Sequence, residues 1–149
     1  EDARTEKEIG KWTGILGRTD IIETAKPVEE TVTMAAVEYM KKAGLEISLS
    51  EKRVNLEDFK TIPPHFVISG KVEDLKAEAI SYFGYTQVKT KIRLNINIRD
   101  ISQGKTIISN IESISEPKTV IFFNPRAFEK TLNEALSDAL ERILPKFGH

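Results

Sequence analysis

The sequence contains no cysteine. Disulfides, thiol nucleophiles and thiolate metal sites are therefore excluded, although the compartment is not fixed by that absence. Histidine occurs only at His65 and His149, and neither has metal-ligand partners at close spacing. No apolar run approaches the roughly 18–20 residues needed to span a bilayer as a helix. Charge of neither sign dominates: 22 basic and 23 acidic residues leave a net charge of -1. That argues against the whole-surface positive field of a general nucleic-acid binder. No serine sits in a Gly-x-Ser-x-Gly elbow, and Gly10, Gly14 and Gly17 match neither a phosphate loop nor a dinucleotide fingerprint. There is no internal repeat and no low-complexity tract. No enzyme class is supported, and no cofactor or metal is expected. The sequence starts at Glu1 with neither an initiator Met nor a signal peptide, and reads as a processed or trimmed piece.

The chain does have a core. Its 149 residues, 40% of them hydrophobic, suit one domain, with residues 1–26 as an extended, partly irregular lead-in and 27–146 as the compact body. The clearest stretch is Val88–Ile98. Val88, Thr90, Ile92, Leu94, Ile96 and Ile98 share one parity, and Lys89, Lys91, Arg93, Asn95 and Asn97 share the other. Strand side chains alternate between faces, so this run predicts a strand with one buried and one wet face. A slip of one residue would expose every isoleucine, so the pattern also fixes its register.

Other elements are arranged around it. Pro27 opens a helix with Glu29 and Glu30 in its first turn, an apolar stripe from Val28 through Met40 to Ala43, and Gly44 placed to end it. Leu45, Ile47 and Leu49 alternate with polar residues and predict a short strand. Ser50–Pro64 reads as a loop, with one helical turn at Asn55–Phe59. A strand begins near His65, and its apolar phase slips after Val72, which calls for a β-bulge near Glu73-Asp74. Tyr82-Phe83-Gly84-Tyr85 forms the hairpin tip before the central strand. After a turn at Asp100–Lys105 comes a strand at Thr106–Ser115, then a short edge strand at Val120–Phe123. Asn124 caps a last helix whose stripe includes Phe128, Leu132, Leu136, Leu140 and Leu144, with Pro145 ending it. A short strand is also expected near Trp12–Leu16. The fold class is α+β: a two-layer sandwich in which an antiparallel β-meander sheet is packed by two α-helices.

Each candidate for chemistry has a plainer reading beside it. The carboxylate pairs Glu29-Glu30, Glu57-Asp58 and Glu73-Asp74 fall at a helix start, in a loop and at a bulge, where solvation accounts for them. Lys89, Lys91, Arg93 and Arg99 make a basic sheet face, joined by Lys71 and Lys76. That face would serve a small ligand or polyanion, yet it lacks the interleaved aromatics of a single-stranded nucleic-acid site, and Glu73 and Glu78 are available to pair with it. Tyr82, Phe83 and Tyr85 at a loop tip either contact a partner or membrane surface or fold back on the sheet edge. Trp12 is either a lid on the core or a platform for a ligand. These four residues are the candidate contact site.

Several short motifs occur in order: Asp2-Ala3-Arg4, Ile9-Gly10, Pro27-Val28, Ala43-Gly44-Leu45-Glu46-Ile47, Ile68-Ser69-Gly70-Lys71-Val72, Arg99-Asp100 with Gly104-Lys105, and a closing amphipathic helix. In this the chain resembles the YajG-type family of bacterial envelope lipoproteins over nearly its whole length. The resemblance implies an α+β sandwich without catalytic residues, held at the periplasmic side of the outer membrane and working through contacts with an envelope protein or membrane surface. It also implies a lipid anchor upstream of Glu1, because the acylated cysteine of the family is absent. On this resemblance, the strand that precedes the Asp-x-Arg pattern in the family would be missing or trimmed here. The sheet should then have an edge without its neighbour, with Glu1–Leu16 loosely held.

Overall fold

The computed structural model describes residues 1–4, 8–22, 27–49 and 65–143. Its elements are β1 (Gly10–Thr13), β2 (Thr19–Ile22), α1 (Val28–Lys42), β3 (Phe66–Tyr82), β4 (Tyr85–Asp100), β5 (Lys105–Ile114), β6 (Lys118–Val120) and α2 (Pro125–Glu141). They form a six-stranded sheet in the order β2-β1-β3-β4-β5, with β6 also paired to β4. Two helices lie on one face, which makes the α+β sandwich expected from the sequence.

The central alternation is realised as read. Val88, Thr90, Ile92, Leu94, Ile96 and Ile98 are all buried, none more than 7% exposed. On β3, Val72, Leu75, Ala77 and Ala79 face the same core. Val72 and Leu75 are three positions apart, so a regular strand would place them on opposite faces. The register shift between Val72 and Asp74 absorbs one residue and returns both to the core.

Both helices start near the expected signals, and α1 ends just before the expected Gly44. The Asn124 side chain accepts a hydrogen bond of 3.0 Å from the Ala127 backbone N–H, and Pro125 is the first helical residue. Phe128, Leu132, Leu136 and Leu140 of the α2 stripe are buried, as is Ile143 just beyond the helix. Each such side chain contributes about 1.5–3 kcal/mol, which docks the helix on β4 and β5. Pro27 is the N-cap of α1 and not its first helical residue, and Gly44 follows the helix at φ 87°.

Four details differ from the sequence reading. Leu45–Leu49 is not a strand. Leu45 and Ile47 pack on the core while Leu49 is exposed, so the alternation is real, but no neighbouring strand among the described residues hydrogen-bonds to it. The short edge strand lies at Lys118–Val120, ahead of the Val120–Phe123 expected. The sheet is also not wholly antiparallel, because β1 runs parallel to β3. Lastly, the described part of the lead-in is held firmly. Ala3 N–H donates to Val72 O at 2.9 Å, Val72 N–H donates to Glu1 O at 2.8 Å, and β1 and β2 form a hairpin. The helical turn at Asn55–Phe59, Glu57-Asp58, and the end of the last stripe at Leu144 and Pro145 lie outside the described residues.

The two layers differ in length. At about 3.3 Å per residue, the 17 residues of β3 run about 55 Å along the strand. The 17 residues of α2 cover about 25 Å. Alone, α2 therefore spans about half of the length of β3, and the core face of β4 is nonetheless buried from Thr86 to Ile98.

Candidate contact surface

Register fixes which residues share the hairpin end. Thr13 pairs with Ile80, so the β1–β2 turn emerges beside Tyr82. Tyr82 pairs with Tyr85 across the turn. Thr86 pairs with Val120, so the residues after β6 emerge beside Tyr85. Three chain reversals thus meet at one end of the sandwich.

The aromatic residues there are held on opposite faces. Tyr82 and Tyr85 follow the wet parity, and their rings stack at 5.0 Å with 22° between planes. Trp12 pairs with Ala79 and lies on the helix side. Its indole stacks on Phe123 at 5.6 Å and 12°. Its Nε1–H donates to Ser81 Oγ at 2.9 Å, and that hydroxyl shares a 2.8 Å hydrogen bond with Thr86 Oγ1. Ala79, the register partner of Trp12 on β3, is fully buried. Phe83 sits at the tip, 92% exposed. The turn depends on Gly84, whose φ of 87° disfavours any residue with a Cβ.

All four sequence candidates therefore gather at one end: Phe83 outward, Tyr82 and Tyr85 on the wet face, and Trp12 half-buried as a lid. The sequence reading missed their neighbours. Ile15 and Leu16 in the β1–β2 turn are 62% and 97% exposed, and Ile121 and Phe122 after β6 are 73% and 82% exposed. Each pair follows a short strand; Ile15-Leu16 lies between Gly14 and Gly17, and Ile121-Phe122 lies inside the apolar run Val120–Phe123. Within Trp12–Arg18, Ser81–Gln87 and Thr119–Asn124 only Arg18 is charged, in a chain that is 30% charged overall.

The basic sheet face has a different character. Lys89 pairs with Glu78 at 2.9 Å. Lys91 and Arg93 both pair with Glu112, at 2.9 and 2.8 Å. The Glu112 carboxyl is held below its ordinary range, first by hydrogen bonding from Arg93 and then from Lys91. The cations in the middle of this face are thus occupied by neighbours across the ladder.

A groove of about 210 Å³ lies between α1 and α2, lined by Tyr39, Glu38, Asn133 and Ser137 among others. Burial, then the nearby Glu141, pushes the Tyr39 hydroxyl pKa up. The groove is smaller than the roughly 300–1,000 Å³ of an ordinary small-molecule site. Among the described residues no helix is long and apolar enough to cross a membrane. His65 is exposed at the start of β3.

No family model and no curated protein sequence matches the chain significantly. Solved structures do. The fold is similar to that of protein XCC0632 from Xanthomonas campestris, of the DUF330 family, with a TM-score of 0.54 over 96% of this chain and 77% of that one at 10% identity. A second, uncharacterized protein aligns over 98% of this chain and 87% of its own at 9% identity and a TM-score of 0.43. The first likeness establishes a shared fold with a DUF330 protein.

Proposed function

We propose that this chain is a non-catalytic domain of an outer-membrane lipoprotein of the YajG type, facing the periplasm and acting through contacts with an envelope protein or the membrane surface. The observation that carries this reading is the Tyr82-Phe83-Gly84-Tyr85 tip, where Phe83 is 92% exposed at the turn of the β3–β4 hairpin. The motif resemblance and the fold shared with a DUF330 protein support it. So does the chemistry of the surface, where the perturbed carboxylates of Asp2, Glu38, Asp100 and Glu112 are lowered by hydrogen-bond donors in structural contacts. None of these is a carboxyl raised in a cleft, as a general acid would be.

The anchor belongs to the region upstream of Glu1. The complete precursor should carry an apolar leader ending in a Leu-x-Gly-Cys-type sequence. Expressed whole in a Gram-negative host, it should take up radiolabelled palmitate and sediment with outer membranes. A precursor with an initiator Met a few residues upstream, no leader and no label would overturn the proposal.

A further inference from the structure

The apolar end is made of three separate chain reversals. Leu16, Phe83 and Phe122 are each more than 80% exposed at the three tips. They span the neighbouring strands β2, β1, β3, β4 and β6. At about 4.8 Å per strand the tips fit within about 19 Å. Large apolar side chains at three separate tips form a set of scattered anchors. They suit a soft apolar phase, which needs no matching shape. The composition favours the same occupant. These segments hold no carboxylate, and their one charge is the cation Arg18. Asp20 stands back from the tips, at the level of Trp12. Just behind Phe83 lies the stacked Tyr82–Tyr85 pair, whose rings have an apolar body and a polar hydroxyl, the chemistry enriched at headgroup level.

We infer that the three turns insert together into the interface of an anionic phospholipid bilayer, with Leu16, Phe83 and Phe122 entering the acyl boundary and Arg18 meeting a headgroup phosphate. This rests on the reading of the hairpin end as the contact surface. It does not rest on the lipid anchor, since the turns would bind a bilayer without one.

The test uses the 149-residue chain and vesicles of phosphatidylethanolamine and phosphatidylglycerol at 3:1. Trp12 is the sole tryptophan and sits beside the three turns, so vesicles with brominated acyl chains should quench its fluorescence. Phe83→Ser and Phe122→Ser should each weaken vesicle partitioning about tenfold, the loss expected for one large apolar side chain. Ile108→Ser, on exposed β5 away from this end, should leave partitioning unchanged. Arg18→Gln should weaken binding to these vesicles more than to pure phosphatidylcholine. Urea midpoints confirm that the variants fold. Parent protein that neither sediments with the vesicles nor is quenched overturns the inference. So does partitioning that is indifferent to Phe83→Ser and Phe122→Ser. Self-association of the parent in sedimentation velocity, abolished by Phe83→Ser, would assign the surface to a second copy and overturn the bilayer. Palmitate labelling of the precursor is read independently, so the lipoprotein proposal survives or fails separately.

Discussion

The hydroxyls of Thr90 on β4 and Thr131 on α2 lie 2.8 Å apart, and neither residue is exposed to solvent. Thr131 Oγ1 also donates to Phe128 O at 2.9 Å. Its single proton is thereby used, so Thr90 donates to Thr131. The contact is a directed relay from sheet to helix, and removing its two ends has unequal consequences.

Thr131→Val leaves the Thr90 hydroxyl buried without its acceptor and should cost about 1–3 kcal/mol. Thr90→Val leaves Thr131 bonded to Phe128 O and should cost less. The double variant should be less destabilised than the sum of the two singles. Urea unfolding of all three decides it; equal costs for the singles would refute the assigned direction, and a larger cost for Thr90→Val would reverse it.

Gly10 presses against β3. A Cβ built on it would lie 2.6 Å from the Cβ of Ala77 and closer still to the Ala77 carbonyl. Gly10→Ala must therefore push β1 off β3, a crowding cost of about 1–3 kcal/mol. Gly14→Ala is the control, since its Cβ would meet Arg18 O at an ordinary 3.6 Å. The urea midpoint should fall for the first and hold for the second.

Asp2 and Arg4 form a two-pronged pair, with hydrogen bonds of 2.7 and 2.6 Å, and the Arg4 side chain is only 6% exposed. Hydrogen bonding from Arg4 holds the Asp2 carboxyl below its ordinary value of 3.8. A carboxyl lowered on folding binds fewer protons in the native state, so its stabilisation is present above that ordinary value and is lost as pH falls through the native one. Asp2→Asn should cost about 1–3 kcal/mol at pH 7. The gap between parent and variant should close as pH drops below 3.8. Urea midpoints measured down a pH series will show whether it does.

The cross-strand ion pairs of the wet face predict weak interest in polyanions. The parent should elute from heparin without salt-sensitive retention, and Lys91→Glu with Arg93→Glu should change nothing. Retention that this double variant abolishes would revive the small-ligand or polyanion reading of the face.

Much of this was visible in the linear chain. The isoleucine parity of β4, the phase slip at Val72, and the Asn124-Pro125 helix start each come from local geometry, which repeats wherever the same residues occur. The parallel placement of β1 does not, because it depends on residues far away along the chain. Leu45 and Ile47 show the converse: a perfect local alternation finds no strand to pair with among the described residues. The contact end was half legible. Tyr82, Phe83 and Tyr85 announced themselves as one cluster, whereas Leu16 and Phe122 join them only through the strand order.

The lid formed by Trp12 also sets the sequence of events in folding. Ser81 and Thr86 are 5 positions apart, so their hydroxyls meet as soon as the hairpin zips from its own turn. Trp12 and Ser81 are 69 positions apart, and their bond must wait for a long segment to close. An early refolding species should hold the hairpin paired with the indole still in water, which makes the lone tryptophan a clock for the last step of assembly.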